Sequence, residues 1–265
     1  MTRLVVTLAL AVLPAASVAA QPAALARARA LYNSGSYDAA IDAAAAARVD
    51  PKVGDAASLV LGRAHLERFR SGGAAADLTA ARTSLAAVRI DALTARDQLD
   101  LLIGLGQTLY FGDAFGAAAD VFDNALGRAA LLGAGERGKL LDWWSNALDR
   151  QAQARPADRR RPVYARIVER MEDELRDEPG SAVANYWLVV GARGTGDLDR
   201  AWDAAFAGWV RAALGADAAD LRADLDRVAM EVLIPERARM RPVREQADGA
   251  AAMRAEWEKL KTDWK

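Results

Sequence analysis

The chain has 265 residues, with 35 Lys or Arg against 36 Asp or Glu, one histidine and no cysteine. Disulfides, thiolate metal sites, iron–sulfur clusters and cysteine nucleophiles are thereby excluded, and at most one imidazole base remains. A formal charge of −1 gives no general drive toward nucleic acid or an anionic membrane surface.

The first twenty residues read as an address. Arg3 and the amino terminus supply positive charge, Leu4 to Leu13 is an apolar run, Pro14 breaks it, and small residues follow through Ala20. This is the three-part pattern of a secretory leader, cleaved after Ala19 or Ala20. A ten-residue apolar run is too short to span a bilayer, which takes about 20. The expectation is an exported protein with no integral membrane segment in its mature form. It would reside in the periplasm, with secretion beyond it as the alternative.

From residue 22 onward the composition favours helix. Alanine contributes 63 residues and is the best helix former. The excess of 30 Arg over 5 Lys matches a GC-rich bacterial genome, so coding bias explains part of the alanine. Turn signals recur at Gly35-Ser36, Asp50-Pro51, Ser71–Gly73, Gly112-Asp113, Gly133–Gly135, Arg155-Pro156, Glu178–Ser181, Gly194–Gly196 and Ile234-Pro235. The intervals fit ordinary helices, and sustained period-two alternation is missing, so the sequence predicts no sheet.

These segments repeat. The order glycine turn, opening aromatic or apolar residue, then alanine occurs at Gly35-Ser-Tyr37 to Ala40. It returns at Gly112-Asp113-Ala-Phe115 to Ala118, and at Gly196-Asp197-Leu198 to Ala201. An apolar residue followed by a small one precedes two of the turns, at Leu105-Gly106 and Trp187-Leu188 with Ala192. Leu61-Gly62-Arg-Ala64-His65 reads as the first half of another unit. Small residues let two helices approach closely, and large ones fill the seam to the next pair.

The pattern resembles the tetratricopeptide repeat (TPR) family. Units at 95–131 and 181–213 match best. The unit at 22–51 carries Arg27 where the family has an apolar residue. The unit at 55–90 has an irregular turn at Ser71–Gly73, and that at 135–179 has a long loop from Ala154 to Pro162. Ala40 and Ala118 lie 78 residues apart and Ala118 and Ala201 lie 83 apart, each near two units of about 40 rather than the usual 34 or so. The resemblance implies an all-α fold, a right-handed superhelical stack of about five antiparallel helix pairs over 22–213. The plain alternative is an irregular helical bundle.

Residues 214–265 depart from the repeat. Ala216 to Leu233 reads as one helix, interrupted by Ile234-Pro235. A last helix from about Val243 carries Met253, Trp257, Leu260 and Trp264 on one stripe, either capping the stack or docking a partner.

Chemical motifs are scarce. Gly133-Ala-Gly-Glu-Arg-Gly138-Lys139 has the spacing of a phosphate-binding loop, but Leu140 replaces the Ser or Thr that holds magnesium and no strand precedes it. It reads as a helix–helix turn with glycine as a C-cap. Gly191, Gly194 and Gly196 are a turn, not a dinucleotide fingerprint. His65 stands alone and reads as a packing residue. Glu172, Asp173 and Glu174, like Asp220, Asp224 and Asp226, recur at the spacing of solvated helix faces. The Arg155 and Arg159–Arg161 cluster reads as a solvated loop.

The functional expectation is therefore a binding or scaffold protein that is not an enzyme and needs no cofactor or metal. Its partner would be a protein or peptide, not nucleic acid. By position in the family's first helices, the resemblance implies partner-binding residues Arg29, Tyr32, Asn33, Arg63, Glu67, Gln107, Tyr110, Trp144, Gln151, Tyr186 and Arg193. The alternatives are a carboxylate-dependent cell-envelope hydrolase on a helical scaffold and a structural subunit of an envelope complex.

Overall fold

The computed structural model describes residues 17–265, and among these every regular element is helical and no strand forms. The expected leader lies mostly outside the described residues; α1 runs Ser17–Asn33. Among the described residues no helix is long and apolar enough to cross a membrane. The chain divides into two compact units, residues 1–104 and 105–265.

In the first unit, α1 turns back into α2 (Tyr37–Ala47), followed by α3 (Gly54–Gly72), α4 (Ala75–Ala86) and the start of α5 (Ala95–Tyr110). Leu25 and Ala28 of α1 meet Ala44 and Ala47 of α2 and Ala57, Val60 and Leu61 of α3 in one buried cluster. Alanine predominates here because antiparallel helices with small facing residues approach to the short end of the ~8–10 Å range.

The second unit contains the end of α5, then α6 (Phe115–Leu126), α7 (Ala134–Gln153), α8 (Arg161–Asp177), α9 (Ala182–Gly194), α10 (Leu198–Arg211) and α11 (Ala218–Val228). It closes with α12 (Ile234–Arg239) and α13 (Gln246–Asp263). Phe122, Leu148, Ile167, Met171, Leu225, Leu233 and Trp257 are among its fully buried side chains.

Four helix–helix turns share one backbone device. Gly35, Gly73, Asp113 and Gly196 have φ of 76°, 71°, 59° and 83°, the left-handed region that glycine enters at no steric cost and Asp tolerates. Each stands two residues before the next helix begins. In three cases an alanine five residues later, Ala40, Ala118 or Ala201, is fully buried.

The α3–α4 turn is the exception, and the structure shows why its sequence looks irregular. Only Gly73 and Ala74 separate α3 from α4, whereas Ser34–Ser36 separate α1 from α2 and Thr195–Asp197 separate α9 from α10. The buried residues of α4 are Asp77, Ala81, Ser84 and Leu85, so an aspartate is buried four residues after the turn glycine, next to where the other units bury an alanine five residues after theirs. Its charge is compensated on the spot. Arg68 donates to Asp77 at 2.6 and 3.2 Å, and His65 Nδ1 lies 2.8 Å from the same carboxylate. His65 is thus half-buried, as a packing histidine would be, with its ring nitrogen in a polar cluster.

Other expectations are refined. Gly133 is the N-cap of α7, not a C-cap: Gly133 N donates to Glu136 Oε2 at 2.8 Å, and Lys139 lies within the helix. Arg160 caps the other end of α7, donating to the carbonyls of Arg155 (2.9 Å) and Gln153 (3.4 Å). Glu174 is not solvated. It is buried and accepts two bonds from Arg137, at 2.7 and 2.6 Å, tying α8 to α7. Ile234-Pro235 does not break the helix. Residues 229–233 form a π-helical turn that carries α11 into α12. Proline lacks the N–H an α-helix would use, and a π-turn absorbs the loss.

The C-terminal helix packs against the preceding ones. Met253, Trp257 and Leu260 of α13 are buried. The Trp257 ring lies 5.7, 5.5 and 5.5 Å from Trp202, Phe206 and Trp209. Its indole N–H donates to Asp226 at 2.7 Å, and Lys261 Nζ reaches the same oxygen at 2.9 Å.

Candidate functional site: an aspartate-lined cleft

Of the residues expected to line a partner-binding face, the charged ones of the first unit are each held by an opposite charge. Arg29 donates to both oxygens of Asp97, at 2.9 and 3.0 Å. Arg63 donates to Asp100 at 2.7 Å while its guanidinium lies 4.7 Å from the Tyr32 ring centre. Burial, opposed by the Arg63 charge, holds the Tyr32 hydroxyl above its ordinary pKa. Glu67 pairs with Arg70 one turn on, at 2.8 Å. Asn33 is exposed at the end of α1. This face is closed by its own charges.

The same unit holds two carboxylates below the usual range. Bonds from Arg68, and then from His65, lower Asp77 against the opposing effect of burial. Side-chain and backbone bonds from Arg89 lower Asp55. A depressed carboxylate pKa adds stability that is fully present above the unfolded value of about 4 and lost as pH falls through the folded value. The helicity of the wild-type chain should therefore fall below about pH 4. The stability gap between wild type and Asp77→Asn should narrow over that window. An acid titration by circular dichroism checks this, and a gap that stays constant down to pH 2 or so would refute it.

In the second unit the expected residues scatter. Tyr110 sits in an aromatic cluster, 5.0 Å from Trp143 and 5.3 Å from Phe115. Trp144 is 2 % exposed, inside the core, with the Arg170 guanidinium 5.5 Å from its ring centre. Of the two adjacent tryptophans, 144 is the buried one. Gln151 lies against Gly116 of α6, Gln107 is half-buried, and Arg193 is held by Glu236 of α12 at 2.9 and 2.7 Å.

Tyr186 lines a cleft. The cleft is about 450 Å³ and lies between α7, α9 and α11. α7 supplies Asp142, Asn146 and Asp149; α9 supplies Ala182, Val183, Tyr186, Trp187 and Val190; α11 supplies Asp220, Leu221 and Asp224. The spacings of three and four residues put each set on one helix face. Four aspartates line the cleft and no Lys or Arg does.

Two of the aspartates are fixed by neighbours. Trp187 Nε1 donates to Asp142 at 2.8 Å, joining α9 to α7. Tyr164 donates its hydroxyl to Asp149 at 2.7 Å, and Gln153 donates to the other oxygen at 2.6 Å. Burial, then the bond to Asp149, raises the Tyr164 hydroxyl pKa far above normal, so it stays a donor. Burial first, and then the Asp224 carboxylate, raises that of Tyr186. Asp224 pairs with Arg227 on the same helix, and Asp220 stands exposed at the rim. An apolar floor with an aromatic ring, ringed by carboxylates, suits a cation carried on an aliphatic stem. Among the described residues no group of three His, Cys, Asp or Glu is placed to hold a metal ion.

The sequence carried a signal for this site. Asp142 and Asp149 recur on one helix face at two-turn spacing, and Asp220 and Asp224 at one-turn spacing, where like charges disfavour an isolated helix by a few tenths of a kcal/mol. That acidic faces of α7 and α11 flank one cleft is visible only once α9 lies between them. Compared with protein families and with curated proteins, the chain matches none.

Proposed function

We propose that this chain is an exported binding or scaffold protein with no catalytic activity of its own, whose α7–α9–α11 cleft holds a cationic segment of a protein partner. The observation that carries this reading is the set of four aspartates around Tyr186 and Trp187, with no lysine or arginine among the lining residues. A Lys or Arg side chain entering the cleft would lay its methylenes on Val183 and Val190 and its charge among the carboxylates. Export is supported by the leader pattern of residues 1–20.

We further read the helix pairs as tetratricopeptide-like repeats, about five in number and stacked in a right-handed superhelix, with 214–265 as a C-terminal cap. Support comes from the left-handed turn residue at Gly35, Gly73, Asp113 and Gly196 and the buried alanine that follows three of them. In the resembling family such pairs present first-helix residues to peptide ligands. Here α7, α9 and α11 occupy that role, and they supply the cleft.

Fluorescence anisotropy with labelled oligolysine and oligoglutamate peptides tests the binding reading. Oligolysine should bind and should weaken as salt is raised from low to physiological strength. The double variant Asp220→Asn/Asp224→Asn should lower its affinity about tenfold without loss of helicity. Equal binding of both peptides, or unchanged binding by the variant, would remove the assignment.

A further inference from the structure

The α1–α2 hairpin carries a groove of about 540 Å³, larger than the aspartate cleft and unlike it in character. Its walls are Ala23 and Ala24 on α1 and Ala39, Ala43 and Ala46 on α2, with Arg27 and Asp42 facing it from opposite sides. On α2 these residues stand one position before the buried Ala40, Ala44 and Ala47. One position is about 100° of helix, so Ala39 and Ala46 are exposed and Ala43 is half-buried at the edge of the core. Arg27 and Asp42 are both exposed, and neither is ion-paired to a described residue. A repeat-like hairpin buries one face against its neighbour, and its outer face then needs a cover.

We propose that this cover is the same groove of a second copy of the chain, in a two-fold dimer. The argument is one of register and charge. Arg27 stands eight residues before the turn at Gly35 and Asp42 stands seven after it. At about 1.5 Å per residue the two therefore lie at nearly one level on antiparallel helices. A two-fold axis parallel to the helices lays α1 of one copy over α2 of the other and preserves that level. Arg27 then meets Asp42 of the other copy, and Asp42 meets its Arg27. A two-fold axis across the helices instead brings Arg27 toward Arg27 and Asp42 toward Asp42. The groove holds one charge of each sign, so a purely basic or purely acidic segment leaves one of them opposed. A copy of itself satisfies both, as an isologous interface requires. Alanines on both sides let the four helices close to short separations. The surface lies in the other unit from the aspartate cleft and is independent of what that cleft binds.

Sedimentation velocity on the purified chain across a concentration series tests the proposal, with circular dichroism as the folding control. The wild-type chain should pass from monomer to dimer as concentration rises. Arg27→Asp and Asp42→Arg should each weaken dimerisation at least about tenfold, because each places two like-charge contacts in one dimer. The double variant Arg27→Asp/Asp42→Arg should restore it to within about threefold of wild type. Both substitutions are at exposed positions. Ala43→Arg, which fills the groove, gives a second route to a folded monomer. A wild-type chain that stays monomeric throughout overturns the proposal. So does a folded double variant as weak as its parents, or a dimer indifferent to all three substitutions.

Discussion

Trp257→Ala is expected to lower the stability of the second unit by about 3–5 kcal/mol, the range for truncating a fully buried large aromatic. The side chain is 0 % exposed and its ring touches three other aromatic rings from α10. Truncation opens a cavity between α13 and α10. It also removes the indole donor from Asp226, leaving Lys261 as that carboxylate's other partner. Trp257→Phe separates the two losses. It keeps most of the ring area but drops the N–H and part of the indole's volume, so it should cost about 2 kcal/mol, well short of the alanine variant. Urea unfolding followed by circular dichroism measures both. If α13 were a detachable docking helix, Trp257→Ala would leave the midpoint of the second unit unchanged. A large shift identifies the helix as part of the core, with Met253 and Leu260 buried beside it.

Gly106→Ala is expected to cost about 3 kcal/mol, the upper end for overpacking a filled core, although alanine is otherwise favoured over glycine in a helix. A Cβ at position 106 would stand 2.4 Å from Phe122 Cε1 and 2.7 Å from Cδ1. Phe122 is itself 0 % exposed, and its ring lies 6.0 Å from that of Trp143, so it has nowhere to retreat. The cause is thus a specific collision between α5 and α6, and a double-mutant cycle isolates it. Phe122→Leu alone should destabilise by about 1 kcal/mol by leaving space. In that background Gly106→Ala should cost less than about 1 kcal/mol, because the new methyl enters that space. Additive losses would show that Gly106 is needed for some other reason.

Much of the architecture was legible in the chain. The glycine and Gly-Asp turns at 35, 73, 112–113 and 196 mark four helix boundaries, because only a residue tolerant of positive φ closes such a turn. The alanines at 40, 118 and 201 proclaim a close helix contact by their size. Residues that pack by volume and turns that depend on φ are local properties, and local properties can be read in one dimension.

The partner-facing residues were not legible in the same way. Arg29, Arg63 and Arg193 have the composition of a recognition surface, yet each is held by a carboxylate far away in sequence: Asp97, Asp100 and Glu236. Position in a repeat says which helix face a residue occupies. It does not say whether an acid from another helix has already claimed its charge. Trp143 and Trp144 illustrate the same limit. Adjacent residues point about 100° apart, but which of the two enters the core depends on where α8 packs.

By itself, then, the amino-acid sequence determined an all-helical chain, the places where most helices turn, and the absence of thiol chemistry. These follow from φ preference, side-chain volume and composition. Only the tertiary structure decided which charges remain available. The packing of α4 on α3 buried Asp77 with His65 and Arg68. The packing of α9 between α7 and α11 gathered four aspartates around one cleft. The α1–α2 hairpin set Arg27 and Asp42 level on one exposed face. Electrostatic partnership acts through space over a few ångströms, and chain positions tens of residues apart become neighbours only when helices pack.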